Sequence, residues 1–255
     1  MRIYAVAAVV VGLSTLATAA GSIVLTPTTI VLGPGDLAAS LTVRNETDGV
    51  ASFTVRPYLW RNSATGDMQV DATDDLMVYP EIVTLQPGES RRIRLGDRRR
   101  DEQVMAERSY RLLLDSVPEP TVGRSAGGLT VRTRLQFSLP VFIQPKDRTA
   151  RVSIQSPSVA AGRAEFTLVN AGRLHVTPTK IEVAGLGAAG DVVWTRAMRP
   201  WYLLAGEVRR FSVDVSGAEC RRTAFVTAEA TFAEGDRLTL RERRPVSPDA
   251  VCSAR

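Results

Sequence analysis

The residue types that could do chemistry point away from catalysis. His175 is the only histidine, and a general base needs a nucleophile and an orienting acid beside it; no serine or cysteine motif supplies them. It follows Asn170 and Gly172 in a tight-turn context, so a structural hydrogen bond beside that turn is expected. There is no glycine-rich phosphate loop, no nucleophile elbow and no recognisable pair of catalytic carboxylates. Asp71, Asp74 and Asp75 would bind calcium only within a glycine-centred loop of acidic ligands, and no such loop follows them. One histidine and two distant cysteines give no metal-ligand spacing. The expectation is a non-enzyme without metal or cofactor.

Two other patterns carry chemistry. Cys220 and Cys252 can bridge in an oxidising compartment, with two free thiols as the alternative. A bridge would close a loop of about 30 residues, stabilise by roughly 3–4 kcal/mol and pin the C-terminal tail. The second pattern is main-chain chemistry. Over 128–144, Leu129, Val131, Thr133, Leu135, Phe137, Leu139 and Val141 alternate with Thr130, Arg132, Arg134, Gln136, Ser138 and Pro140. A strand of about 17 residues is far longer than the usual five or six. Pro140 cannot donate to a ladder, which favours an edge position. Long apolar edges are normally suppressed because they template pairing with other chains, so one that is kept is expected to pair.

The elements that would position these groups are short alternating strands separated by turn signals. Candidates are 22–32, 38–45, 51–60, 81–85, 90–95, 108–116 and 128–144, then 150–155, 163–169, 178–184, 191–196, 208–215, 223–232 and 237–243. Gly33-Pro34-Gly35, Asn45-Glu46-Thr47 and Pro87-Gly88 mark turns, and no amphipathic helix of useful length is expected. The fold class is all-β: two immunoglobulin-like β-sandwiches, at 21–144 and 145–255, joined by a short hinge at Gln144-Pro145-Lys146-Asp147 and set in an L. Residues 1–20 read as a signal peptide, with basic Arg2, an apolar run from Tyr4 to Leu16 and small residues at Ala17-Thr18-Ala19-Ala20. That run is too short for a bilayer span of roughly 20 residues, so an exported protein without membrane insertion is expected. At 44% hydrophobic and 23% charged the chain is globular, with a formal net charge of +5. Its basic clusters, such as Arg98-Arg99-Arg100, lack interleaved aromatics and fit a solvated surface better than a nucleic-acid patch.

In order and spacing, these landmarks resemble the periplasmic chaperones of the chaperone–usher pilus pathway. They are Leu25-Thr26-Pro27-Thr28, Leu41-Thr42-Val43-Arg44-Asn45, Trp60, Asp74-Asp75-Leu76, Tyr79-Pro80 and Leu85-Gln86-Pro87-Gly88-Glu89-Ser90. Arg94, Tyr110-Arg111, Val117-Pro118 and Leu139-Pro140-Val141-Phe142-Ile143-Gln144-Pro145 follow, then Asn170-Ala171-Gly172-Arg173-Leu174-His175 and Leu203-Leu204-Ala205-Gly206. The resemblance implies donor-strand complementation, in which the long strand fills the groove of an incomplete pilus subunit until an outer-membrane usher takes it. β-Augmentation supplies main-chain hydrogen bonds and pockets for alternate side chains. Leu129, Val131, Thr133 and Leu135 are the expected groove fillers, while Phe137 and Leu139 pack in the protein's own core.

The sequence departs from the best-known branch of that family, where an arginine on the first strand and a lysine on the long strand bind the subunit's terminal carboxylate. Thr29 and Pro140 occupy those positions here, which implies the divergent, archaic-like branch. Another arginine is then expected to hold the carboxylate through paired hydrogen bonds. Arg94 and Arg111 are the first candidates, ahead of Arg132 and Arg134. The partners implied are pilus subunits and an usher in the periplasm, with a self-capping dimer as a way to cover the free edge. The competing expectation is an exported structural or adhesive protein, since sandwiches host many roles.

Overall fold

The computed structural model describes residues 21–99, 103–117, 134–232, 239–246 and 252. The first ten strands are β1 (Ile23–Thr26), β2 (Ile30–Leu32), β3 (Ala38–Asn45), β4 (Ala51–Asn62) and β5 (Met68–Ala72), then β6 (Leu76–Tyr79), β7 (Ile82–Leu85), β8 (Ser90–Asp97), β9 (Arg108–Ser116) and β10 (Gln136–Ile143). They form a four-stranded sheet, β1-β3-β8-β6, and a six-stranded sheet, β2-β10-β9-β4-β5, with β7 also on β4. After residue 151 come β11 (Val152–Ala160), β12 (Arg163–Asn170), β13 (Pro178–Leu186), β14 (Val192–Met198) and β15 (Val208–Asp214), then helix α1 (Gly217–Arg222), β16 (Phe225–Phe232) and β17 (Thr239–Pro245). These strands pair as β11-β12-β15 and β14-β13-β16-β17.

Each sandwich closes on its own core because one face of each inner strand is apolar. Leu41, Val43, Val55, Ile93, Leu95, Leu112 and Leu114 are all fully buried in the first. Phe166, Leu168, Val183, Val226 and Ala228 fill the second. The expected strand 22–32 is in fact two. Pro27 has no N–H to continue a ladder, and there the chain passes from the four-stranded to the six-stranded sheet. Strands β5 and β6 were not expected. All five residues of β5 are exposed and leave no alternation to read. Helix α1 is a further addition, started by a capping box in which Ser216 Oγ accepts from Glu219 N at 3.2 Å and Ser216 N donates to Glu219 Oε2 at 2.9 Å. Its buried Cys220 is disulfide-bonded to Cys252, whose Cα lies 5.5 Å away, so the C-terminal tail is tied to the second core.

One local device occurs in both sandwiches. Asn45 ends β3 and Asn170 ends β12, and both are fully buried. Asn45 Nδ2 donates to the carbonyls of Gly49 and Leu85, and Asn170 Nδ2 to those of Leu174, Leu203 and Leu204. Each therefore ties its own turn to a second turn closed by a glutamate. Gln86 N donates to Glu89 Oε2 at 2.9 Å, and Leu204 N to Glu207 Oε2 at 2.6 Å. The glycine before each glutamate has positive φ, +77° at Gly88 and +73° at Gly206, which favours glycine over any side chain.

Candidate functional site

Strand β10 lies between β9 and β2 but is shared unequally. Its whole length, Gln136 to Ile143, pairs antiparallel with β9. Only Val141, Phe142 and Ile143 pair with the three residues of β2. Among the described residues, Gln136–Pro140 have no strand partner on that second side. Along the core-facing positions, exposure rises stepwise toward the N-terminal end. Val141 is fully buried and Leu139 is 4% exposed. Phe137 is part-buried against Phe53, with ring centroids 5.9 Å apart, and Leu135 is 44% exposed. Leu135 continues the ladder, because its carbonyl accepts from Ser116 N at 2.8 Å and its N–H donates to Ser116 Oγ at 2.8 Å. The apolar face of β10 thus runs out of its own sandwich. Described strand begins at Gln136, and residues 128–133 of the expected strand, with Leu129, Val131 and Thr133, lie outside the described residues.

The other face of the six-stranded sheet meets the second sandwich. Trp60 from β4 and Phe142 from β10 are buried with Leu204, and Trp201 and Tyr202 pack against them. Arg111 from β9 stands in this aromatic cluster at 3% exposure. Its guanidinium carbon lies 3.7 Å from the Trp60 ring centroid, 5.4 Å from Trp201 and 5.7 Å from Tyr202. Nε and Nη2 are buried without a hydrogen-bond partner. Aromatic faces compensate a desolvated cation only in part, and burial pulls the guanidinium pKa below its ordinary value. An unpaired buried donor is costly, and Arg111 carries two of them. Its cross-strand neighbour on β10 is Pro140. Opposed residues place their Cβ atoms about 5 Å apart, so Arg111 stands one strand away from Pro140.

The structure does not bring Arg94 to this place. Arg94 is exposed on the outer face of the four-stranded sheet, opposite Ser40 and Tyr79. Arg94 and Arg111 thus point away from each other, on opposite sheets of one sandwich. Arg134 is exposed and faces Asp115 at 3.4 Å, Thr29 sits between β1 and β2, and Arg132 lies outside the described residues. Two members of the acidic run have protein partners: Asp71 pairs with Arg61 at 3.0 Å, and Asp75 accepts from the Tyr110 hydroxyl at 2.8 Å. Among the described residues there is no cluster of potential metal ligands.

His175 is structural, but its partner is across the sandwiches and not in its own turn. Its N–H donates to Glu107 Oε1 at 3.0 Å, and Nδ1 lies 2.6 Å from the same oxygen. The imidazole stacks on Phe142 with centroids 3.8 Å apart. Nearby, Trp60 Nε1 donates to Asn62 Oδ1 at 2.9 Å, and Asn62 Nδ2 donates to Glu207 Oε2 at 2.9 Å. Arg209 pairs with Glu207 at 2.6 Å and donates to the Tyr202 carbonyl at 2.5 Å. Glu107 and Tyr202 carry no local signal of these contacts, and the place of Trp201 beside Arg111, like the Asn62 bond that Glu207 adds to the turn it closes, forms only where the sandwiches dock.

The fold is that of a two-sandwich protein in which, among the described residues, one strand of the first sandwich is incompletely paired. Residues 22–148 match the family described as pili and flagellar-assembly chaperone, PapD N-terminal domain. The chain belongs to this family of pilus-assembly chaperones, which are not enzymes. A comparison with curated proteins found no significant match. Among solved structures, it is similar to the CsuC–CsuE chaperone–tip adhesion subunit pre-assembly complex from archaic chaperone–usher Csu pili of Acinetobacter baumannii. That match has a TM-score of 0.61 at 15% identity, covering 86% of this chain and 98% of the other. The E. coli chaperone DraB matches at 0.55 and 14%, covering 89% and 98%. The Salmonella enterica SafA pilin–SafB chaperone complex matches at 0.56 and 11%, covering 89% and 98%.

Proposed function

We propose that this protein is a periplasmic chaperone that stabilises pilus subunits by donor-strand complementation and delivers them to an outer-membrane usher. The observation that carries the reading is the exposure gradient along β10 and the residue before it, from fully buried Val141 to 44% exposed Leu135, on a strand whose second edge has no partner over Gln136–Pro140 among the described residues. In this reading Leu135, with Leu129, Val131 and Thr133 before it, fills the subunit groove, and burying a Leu or Val stabilises the complex by roughly 1.5–3 kcal/mol each. Arg111 holds the subunit's terminal carboxylate in place of the basic pair that Thr29 and Pro140 replace. The archaic-like branch is supported by that substitution. A second copy of the chain caps the same edge when no subunit is present. A spacer or adhesive module gives no reason for an alternating apolar face to leave its core.

The test is co-expression with a pilus subunit encoded beside the protein. Charged residues at Val131 and Leu135 together should abolish recovery of the complex while leaving a folded chaperone. Undiminished recovery overturns the donor-strand reading, and sedimentation of a strict monomer at high concentration overturns self-capping.

A further inference from the structure

We propose that Trp201 is a displaceable lid over Arg111, and that a terminal carboxylate reaches the cation only when the indole swings away. This rests on reading Arg111 as the carboxylate anchor. Arg111 is 3% exposed, and its Nε and Nη2, buried and unpartnered, cannot together meet an anion in the observed arrangement. One of the three rings around it must move.

Two of the rings are fixed. Trp60 is 2% exposed, and its indole N–H is held by Asn62. The Tyr202 ring is packed among Trp60, Phe142 and His175, with centroids 5.3, 5.9 and 5.5 Å away, and its backbone carbonyl accepts from Asn62 Nδ2 at 3.4 Å and Arg209 at 2.5 Å. The next residue, Leu203, exchanges two main-chain hydrogen bonds with Val176, at 2.9 and 3.0 Å. Trp201 differs. It is half-buried, it follows Pro200 beyond the end of β14 at Met198, and among the described residues it makes no hydrogen bond. Its ring stands 5.4 Å from the guanidinium, near the roughly 6 Å limit of a cation–π contact. The same indole borders a cavity of about 420 Å³ lined also by Arg199, Phe211 and Gly66, which gives it somewhere to go.

A closed lid makes the accessible state a minor one. Apparent affinity for a carboxylate then falls by the populated open fraction, so removing the lid should speed access to Arg111 and tighten binding. Phenylglyoxal, which modifies arginine, can be followed at Arg111 by peptide mass spectrometry in the full-length protein. Trp201→Ala should raise the labelling rate at Arg111 at least about fivefold and leave that at exposed Arg94 unchanged. Trp201→Phe, with a smaller ring, should fall between, and it serves if the alanine variant does not fold. Equal rates in wild type and variants, or wild-type Arg111 labelling as fast as Arg94, overturn the lid. The anchor is read separately: an acetylated Thr-Val-Thr-Val peptide with a free carboxylate should protect Arg111, and its C-terminal amide should not. Equal protection by acid and amide overturns the anchor even if Trp201 does control access.

Discussion

Replacing Arg111 with methionine should make the free protein more stable while weakening its grip on a subunit. The wild-type guanidinium leaves Nε and Nη2 buried without acceptors. At about 1–3 kcal/mol for each unsatisfied group, that costs the fold about 2–6 kcal/mol. The stack on Trp60 at 3.7 Å recovers about 2 kcal/mol of it as a desolvated cation–π contact. Methionine keeps an unbranched apolar stem in the aromatic box and removes the donors, so the expected gain is on the order of 2 kcal/mol. With an m-value of about 2–3 kcal/mol/M, the urea midpoint should rise by about 0.7–1 M at unchanged slope. The same variant should recover less subunit in co-purification. A fall in stability of more than about 1 kcal/mol would mean that Arg111 is an ordinary packing residue, and the argument for a poised cation would fail.

Three other outcomes are expected. Burial, followed by the hydrogen bond to Asp75, pushes the Tyr110 phenol up to about 12. The folded state keeps the proton that the unfolded state loses near pH 10, so stability should decline between pH 10 and 12 by up to about 3 kcal/mol. Tyr110→Phe should flatten that decline in a denaturation series, and an unchanged slope would contradict the assignment. Glu207→Gln leaves Arg209 buried without its counter-charge, the pair being only 4% and 7% exposed. It should cost about 3–5 kcal/mol, and a loss below about 1 kcal/mol in urea melts would show the pair to be dispensable. Replacing Cys220 and Cys252 together with serine should cost about 3–4 kcal/mol, as expected for a sequence separation of 32; an unchanged thermal midpoint would argue against it.

Where one face of a strand is buried, the sequence announces it. Leu41 and Val43, or Phe166 and Leu168, alternate with solvent positions and place β3 and β12 to within a residue. The same logic fails on β5, where both faces are wet. It fails also on α1, whose capping box is plain in Ser216 and Glu219 but whose six residues are too few to show a helical period. The site divides in the same way. Arg94 and Arg111 look alike in sequence, each a base on an alternating strand. What separates them is which sheet face the second sandwich covers, and that depends on contacts between residues far apart in the chain. Tyr202 and Trp201 reach Arg111 from about 90 positions downstream, so no local pattern around Arg111 records them.

The glutamate-closed turn of the second sandwich has a consequence for how the molecule comes apart. Glu207 closes its own turn through Leu204 N and also takes the side-chain N–H of Asn62 from the first sandwich. Glu107 of the first sandwich, with its side chain fully buried, meets His175 of the second. Each half thus lends a carboxylate to the other: Glu107 would lose His175, and Glu207 would lose the Asn62 amide, if the neighbouring sandwich melted alone. Losing either half costs the survivor those hydrogen bonds and exposes the apolar cluster of Trp60, Phe142 and Leu204 to water. The two sandwiches should therefore lose structure in one cooperative transition, so β10 keeps its free edge only while both stay folded.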